Sequence, residues 1–443
     1  MVIDGEKILW LRKGATALAD QGLFAASGFL VNILLARWLP PEQYGAYTLA
    51  FSIYLFVSSF HNALVLEPMS VFGPASYRDA LPEYLGRLLR LHFAITVPLG
   101  LLVGLGVTMF GFFSKSRALP SAFWGVSMGM PLMLFFWLWR RAAYLELRPD
   151  IAMCGAAANT FTGVTLMFLF HVRGWLSPFT AFALQAIAGI VASALLIFFI
   201  RPRLKLSWVD ESTRTLLKQH WRYGRWVVVT AFVFYLAGDA YYLIIDSAAS
   251  IADVAAFRAI QNVVRPIFQF IASINLLLVP WASARFADRA GLAFQRGIRN
   301  ISMIFTAAAI MYLACLLLFG RWLTDALYGG KYTQFTYLIP FMALPILFSA
   351  MAEGPSIAVK AMQVPSEVFW GYTAAAIPTI LLGMFLTRHL GLIGAALGLA
   401  SSSFAFLVVI SYRYRTRLRG ILPVVSKSHQ TEGGAARGLE IEL

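Results

Sequence analysis

The stretch LLARWLPPEQYGAYTLA, residues 34–50, joins two apolar runs, 14–38 and 43–70. A hydrocarbon core about 30 Å thick is crossed by about 20 residues of helix, so each run is long enough to span it. Backbone amides inside lipid must be satisfied within their own segment, which makes both runs helices. Pro40 and Pro41 cannot continue a helix and mark a tight turn. Arg37 and Trp38 suit the interface, where a long cation or an indole keeps its polar end wet. Arg37 has a second reading, as a gating residue at the outer rim. Gly45 lets the second helix pack closely as it restarts.

The same pattern fills the chain. Of its 443 residues, 59% are hydrophobic and only 13% charged, against about 25% charged in a soluble domain. Twelve spans are predicted: 14–38, 43–70, 91–113, 121–145, 151–172, 179–200, 226–247, 255–280, 297–320, 336–360, 368–388 and 391–412. With the N-terminus inside, cytoplasmic loops and ends hold 27 of the 36 Lys and Arg. That bias places both termini in the cytoplasm. It also explains the net charge of +15 as topogenic. Nucleic-acid binding is not expected, because the basic residues are scattered over separate inner loops. Those loops would attract anionic membrane lipids in a generic way.

The start carries Asp4 and Glu6 and lacks the pattern of a cleaved signal peptide. Cys154 and Cys315 both fall in predicted spans, so no disulfide framework is expected, and no His/Cys cluster points to a metal or cofactor. No nucleophile–base constellation suggests an enzyme, and the outer loops are too short to hold a catalytic domain. A membrane glycosyltransferase, polymerase or ligase is therefore the least favoured reading.

The chain divides into residues 1–200, a basic cytoplasmic linker at 201–225, residues 226–415 and a polar tail, 416–443, expected to be disordered. The halves echo each other. NALVLEP (62–68) is similar to NLLLVP (275–280), and RPDIAMCGAAAN (148–159) to VPSEVFWGYTAA (364–375). The expectation is an all-α polytopic membrane protein of about 12 helices. Its two six-helix lobes would be related by a pseudo-twofold axis along the membrane normal, with a site between them.

Charge inside a span is costly and usually faces a cavity or a partner. Tyr235, Asp239, Tyr242 and Asp246 form one stripe on the seventh span, and Arg258, Gln261, Asn262, Arg265 and Gln269 another on the eighth. A hairpin centred on residue 252 would set Asp246 level with Arg258 and Asp239 level with Arg265. Two readings follow. In one, the charges form ion-pair rungs that pin the hairpin. In the other, Arg258 and Arg265 face a cavity, where a guanidinium can grip a diphosphate bidentately.

The second span offers Thr48, Ser52, Ser59 and Asn62, which suit either sugars or helix–helix bonds. His61 and His92 read as satisfied interior histidines. Asp20, Glu67 and Glu353 are candidates for carrying a coupling proton or cation. Glu67 and Glu353 also stand where prolines break helices.

LLARWLPPEQYGAYTLA, GDAYYLIID (238–246), LTDALYGGKYTQFTYLI (323–339) and HLGLIGAALGLASS (389–402) resemble, in order and spacing, motifs of the O-antigen type polysaccharide flippases. That family belongs to the superfamily that also holds multidrug antiporters and lipid II flippases. The likeness runs over about residues 14–415. It implies alternating-access movement of a polyprenyl-diphosphate-linked oligosaccharide from the inner to the outer leaflet of the bacterial cytoplasmic membrane. Partners in polysaccharide assembly would follow. Lipid II flippases line their cavity with arginines from helices one, two and eight, and here only the eighth matches. The polar stripes, with this modest support, make Arg258, Arg265, Gln261, Asn262, Asp239, Tyr242 and Asn62 the candidates for the substrate cavity, and Arg37 and Asp246 the candidates for the outer rim. The alternative is a multidrug or cation antiporter of the same fold.

Overall fold

The computed structural model describes residues 5–111, 116, 118–201, 211–287, 291–362, 364 and 366–437. Among them there is no strand. The helices are α1 (Gly5–Trp38), α2 (Pro41–His61), α3 (Glu67–Ser76), α4 (Leu81–Gly111), α5 (Ala118–Leu145), α6 (Pro149–Val172), α7 (Pro178–Ile200) and α8 (Glu211–Ala237). They continue as α9 (Tyr241–Ala248), α10 (Ile251–Val264), α11 (Ile267–Ala287), α12 (Gly291–Tyr328), α13 (Ile339–Ala361), α14 (Ser366–Pro378) and α15 (Met384–Arg437). Most of the linker predicted at 201–225 is α8 from Glu211 onward, and 202–210 lie outside the described residues. The helical backbone runs to Arg437, through residues whose composition predicted disorder. Arg413 and Arg417 tie the start of that stretch to Glu367 at 3.4 and 2.6 Å.

Among the described residues, nine helices are long and apolar enough to cross a membrane, or ten if the pair Arg214–Ala237 and Tyr241–Ala248, bent by 40°, is one span. The last of the nine, Ser366–Arg419, breaks at Gly391, whose φ of 56° an L side chain rarely adopts. The chain folds back there: a Cβ on Gly394 would stand 1.9 Å from the Leu386 carbonyl. The two sides of that break lie where the eleventh and twelfth spans are predicted, and α10 with α11 covers the predicted eighth.

The helices gather into two compact units. One holds Met1–Tyr235, Tyr242–Asn262 and Thr324–Phe335; the other holds Leu236–Tyr241, Val263–Leu323 and Thr336–Leu443. In the first, α5 packs on α4, α7 and α2, and α6 lies between α7 and α1. Small residues permit these approaches. Gly125 and Gly129 face the backbone of Phe179 and Phe182, and Gly189 faces that of Leu132. In the second, α15 packs on α13 and α14, and α11 on α13.

Prolines interrupt the spans in useful places. Between α2 and α3 the helix widens into a π turn, Asn62–Leu66. Pro68 has no N–H to offer Leu64, and His220 of α8 donates its Nδ1–H to the Leu64 carbonyl instead, at 2.8 Å. His220 Nε2 then accepts from Tyr84 Oη at 3.1 Å. α8 comes this near because residue 224 is glycine: a Cβ there would lie 2.4 Å from the Ala63 carbonyl.

Candidate functional site

The opening motif forms a cluster with two distant segments of the same unit. Gly45 meets the first turn of α10 so closely that a Cβ would fall 1.8 Å from the Ile251 carbonyl. The close packing expected of Gly45 is therefore present, and its partner is α10. Ser250 starts that helix by accepting the Asp253 N–H at 3.1 Å, an ordinary N-cap.

Within the cluster, the eighth-span stripe meets tyrosines. Arg258 donates to Tyr242 Oη at 2.6 Å, and Tyr242 Oη donates to Gln261 at 2.5 Å. Asn262 donates to Tyr44 Oη at 3.1 Å. Tyr328 Oη donates to the Ala259 carbonyl at 3.0 Å, and Tyr332 lies edge-on to the Tyr328 ring at 5.4 Å. Arg258, Gln261 and Asn262 are 9, 6 and 7% exposed, so this part of the stripe is buried within the unit. Beside it, Lys331 Nζ donates to three carbonyls at the end of α1: Ala36 at 3.2 Å, Arg37 at 2.7 Å and Leu39 at 2.7 Å. Pro40 and Pro41 cannot donate to that last turn, and the ammonium takes the place of their missing N–H groups. Arg37 thus contributes its backbone carbonyl to the cluster, while its side chain is exposed.

The ion-pair rungs proposed for the hairpin do not form among the described residues. The connection is tighter than a centre at 252 assumes, since α9 ends at Ala248 and α10 starts at Ile251. Arg258 consequently reaches Tyr242, one turn before Asp246. Asp246 is half-buried on α9. The lower rung is altered differently. Asp239 lies in the break between α8 and α9, and Arg265 in the break before Pro266. The seventh-span stripe is therefore two short faces rather than one. Arg265 and Gln269 are exposed, and Asp239 is partly buried.

The three carboxylates that are candidates for coupling fall into two kinds. Asp20 is fully buried and committed. It accepts from Arg140 Nε at 3.2 Å, Arg140 Nη2 at 2.6 Å and Tyr144 Oη at 2.5 Å. Glu67 and Glu353 form no ion pair among the described residues, and each takes one amide. Asn62 Nδ2 donates to Glu67 at 3.4 Å, and Asn275 Nδ2 to Glu353 at 2.8 Å. These asparagines are the two matched by NALVLEP and NLLLVP. Each half of the chain therefore sets an asparagine on a half-buried glutamate beside a proline.

Two hydroxyls of the α2 stripe are occupied locally. Ser52 donates to the Leu49 carbonyl at 2.8 Å and Ser59 to that of Leu55 at 2.9 Å.

Sequence reasoning missed Tyr44, Tyr328, Tyr332 and Lys331 as members of one cluster. The signals were the YGGKY turn at 328–332, with both glycines at positive φ, and the unsatisfied end of α1 before Pro40.

The chain has the fold of transporters of the MOP superfamily. An inward-facing multidrug resistance MATE transporter superposes with a TM-score of 0.73 at 14% identity, over 91% of this chain and 96% of that one. A MOP superfamily transporter from Pyrococcus furiosus, described as having a binding pocket of reversed polarity that suggests a different function, gives 0.66 at 12% identity, over 91% and 95%. A Vibrio cholerae MATE transporter gives 0.63 at 11% identity, over 93% and 96%. No protein-family model and no curated protein matches the sequence.

Proposed function

We propose that this chain is an alternating-access transporter that exchanges an amphiphilic organic cation for a coupling cation or proton. The carrying observation is the repeated asparagine–glutamate pair, Asn62–Glu67 and Asn275–Glu353. A half-buried carboxylate held by one amide keeps lone pairs for a cation or a proton, whereas Asp20 and Glu367 spend theirs on arginines. The multidrug resistance transporters among the structural neighbours support a drug-like substrate. The tyrosine cluster with Lys331 serves as a gate at the ends that the charge bias assigns to the outer face.

A second reading is the movement of a polyprenyl-diphosphate-linked oligosaccharide across the membrane. It is favoured by the four sequence motifs and by Arg265, an exposed guanidinium at a helix break where a diphosphate could be gripped. Arg258 supports it less than its sequence position suggested, because it is engaged by Tyr242 behind the cluster.

Purified protein in liposomes separates the two. Ethidium transport driven by a sodium or pH gradient, lost in Glu353→Gln, is the expected result. Absence of ethidium transport, together with flipping of a fluorescent polyprenyl-diphosphate oligosaccharide that Arg265→Ala abolishes, would overturn the first reading in favour of the second.

A further inference from the structure

His61 and His92 are fully buried in the first unit. His92 Nε2 lies 3.1 Å from the Pro131 carbonyl, and its Nδ1 lies 2.9 Å from His61 Nε2. A carbonyl only accepts, so the proton on His92 is at Nε2 and its Nδ1 is an acceptor. His61 must then carry its proton at Nε2 and donate it to His92. That leaves His61 Nδ1 as a lone-pair acceptor, buried and meeting no donor among the described residues. The chain of assignments closes with both rings neutral. The sequence reading of two satisfied histidines therefore holds for His92 and fails for one nitrogen of His61.

Other charged groups nearby are turned elsewhere. On α5, Arg140 is bound to Asp20 and Arg141 to Ser70, while Pro131, Phe135 and Trp139 face this region. On the π turn and α3, Asn62 bonds Glu67. On α8, His220 is committed to Leu64 and Tyr84. On α4, helical spacing puts Arg90 on the face opposite His92 and Arg87 well round from it, and Thr96 bonds the His92 carbonyl at 2.8 Å. The titratable group facing each ring is the other ring, with centroids 4.9 Å apart. His61 is also the last residue of α2, next to the π turn, a helix irregularity frequent at functional sites.

We propose that His61 and His92 form a proton-binding site, with His61 Nδ1 as the atom that takes the proton. The proton comes from water, no covalent bond to carbon changes, and the Nε2–H of His61 stays on His92. In the present packing a proton on His61 Nδ1 would be a buried charge and a donor without an acceptor, which is costly. Protonation therefore favours a conformation in which that nitrogen meets water. For its link to transport, the proposal rests on the alternating-access reading; proton binding itself does not.

The test uses full-length protein in nanodiscs. Solid-state spectra of 15N-histidine protein, assigned with His61→Gln and His92→Gln, follow both rings from pH 8 to pH 5. At pH 8 both should be neutral Nε2–H tautomers, and one proton should enter the pair at His61 Nδ1 on acidification. Spin labels at the exposed positions 37 and 334, in a Cys154→Ala, Cys315→Ala background, report conformation across the tyrosine cluster. The ratio of the two distance populations should change by up to tenfold per pH unit for one coupled proton. His61→Gln can still donate to His92, so it should fold and flatten that slope. A pair that stays neutral to pH 5, or an unchanged slope in His61→Gln, would overturn the site. Titration of the pair without label movement would keep the site and refute its coupling to alternating access.

Discussion

Replacing Lys331 with methionine should release the gate while leaving the chain folded. The ammonium makes three bonds, to Ala36, Arg37 and Leu39, at the end of a helix that two prolines leave unsatisfied. When the gate opens, water solvates both the ammonium and the carbonyls, so each bond is worth about 0.5–1 kcal/mol net, or about 1.5–3 kcal/mol for three. At about 1.4 kcal/mol per factor of ten, the open population should rise about ten- to a hundredfold. A nearly isosteric thiol at Ser52, 1% exposed and on the same helical face as Tyr44 and Thr48, can report it. Cys154 and Cys315 are exposed, so both are first replaced by alanine. A buried thiol reacts through the open state, and its rate of alkylation by an impermeant maleimide tracks that population. Lys331→Met should raise the rate about ten- to a hundredfold, and Lys331→Arg should raise it less. A change under about twofold, with both variants folded, would refute the latch.

Gly45→Ala should lower Tm and destabilise the first unit by about 1–3 kcal/mol or more, because its Cβ would meet the Ile251 carbonyl at 1.8 Å; a melt of purified protein checks it. Asp20→Ala should cost about 3–5 kcal/mol, since it leaves Arg140 as an uncompensated, mostly buried charge. Arg140→Met in the Asp20→Ala background should recover much of that loss, and a double-mutant cycle measures the coupling. Glu67→Gln should leave folding intact and abolish gradient-driven ethidium transport in liposomes, as should Glu353→Gln, because an amide keeps the asparagine bond and loses the charge.

The spans, the double-proline turn and the close approach at Gly45 were legible because each follows from one local rule. Hydrophobic length defines a helix, proline ends it, and glycine admits a neighbour. The register of the α9–α10 hairpin was not legible from charge alone. Pairing aspartates with arginines set its centre at 252, whereas the Ser250 cap fixes a tighter turn and moves the partner of Arg258 to Tyr242. The SIAD sequence at 250–253 carried that cap, and reading it first would have shifted the register. Helix breaks at Asp239 and Arg265 were obscured because no proline stands at 239, and a single Pro266 follows 265. Lys331 was hidden by distance: the carbonyls it caps lie 292–295 residues earlier. The unengaged nitrogen of His61 follows from a chain of tautomers, which only three-dimensional neighbours define.

The make-up of the first unit has a bearing on how the chain is made. Its members Tyr242–Asn262 and Thr324–Phe335 come from the second half of the sequence. A ribosome delivering the protein from its N-terminus would finish the first seven helices long before it supplied Ile251 for Gly45 or Lys331 for the end of α1. Until residue 335 enters the membrane, the early helices wait with a bare glycine face and an uncapped terminus. A chain cut near residue 240 should therefore be a poor folding unit and a target for membrane quality control, and co-expressing the missing segment should rescue it.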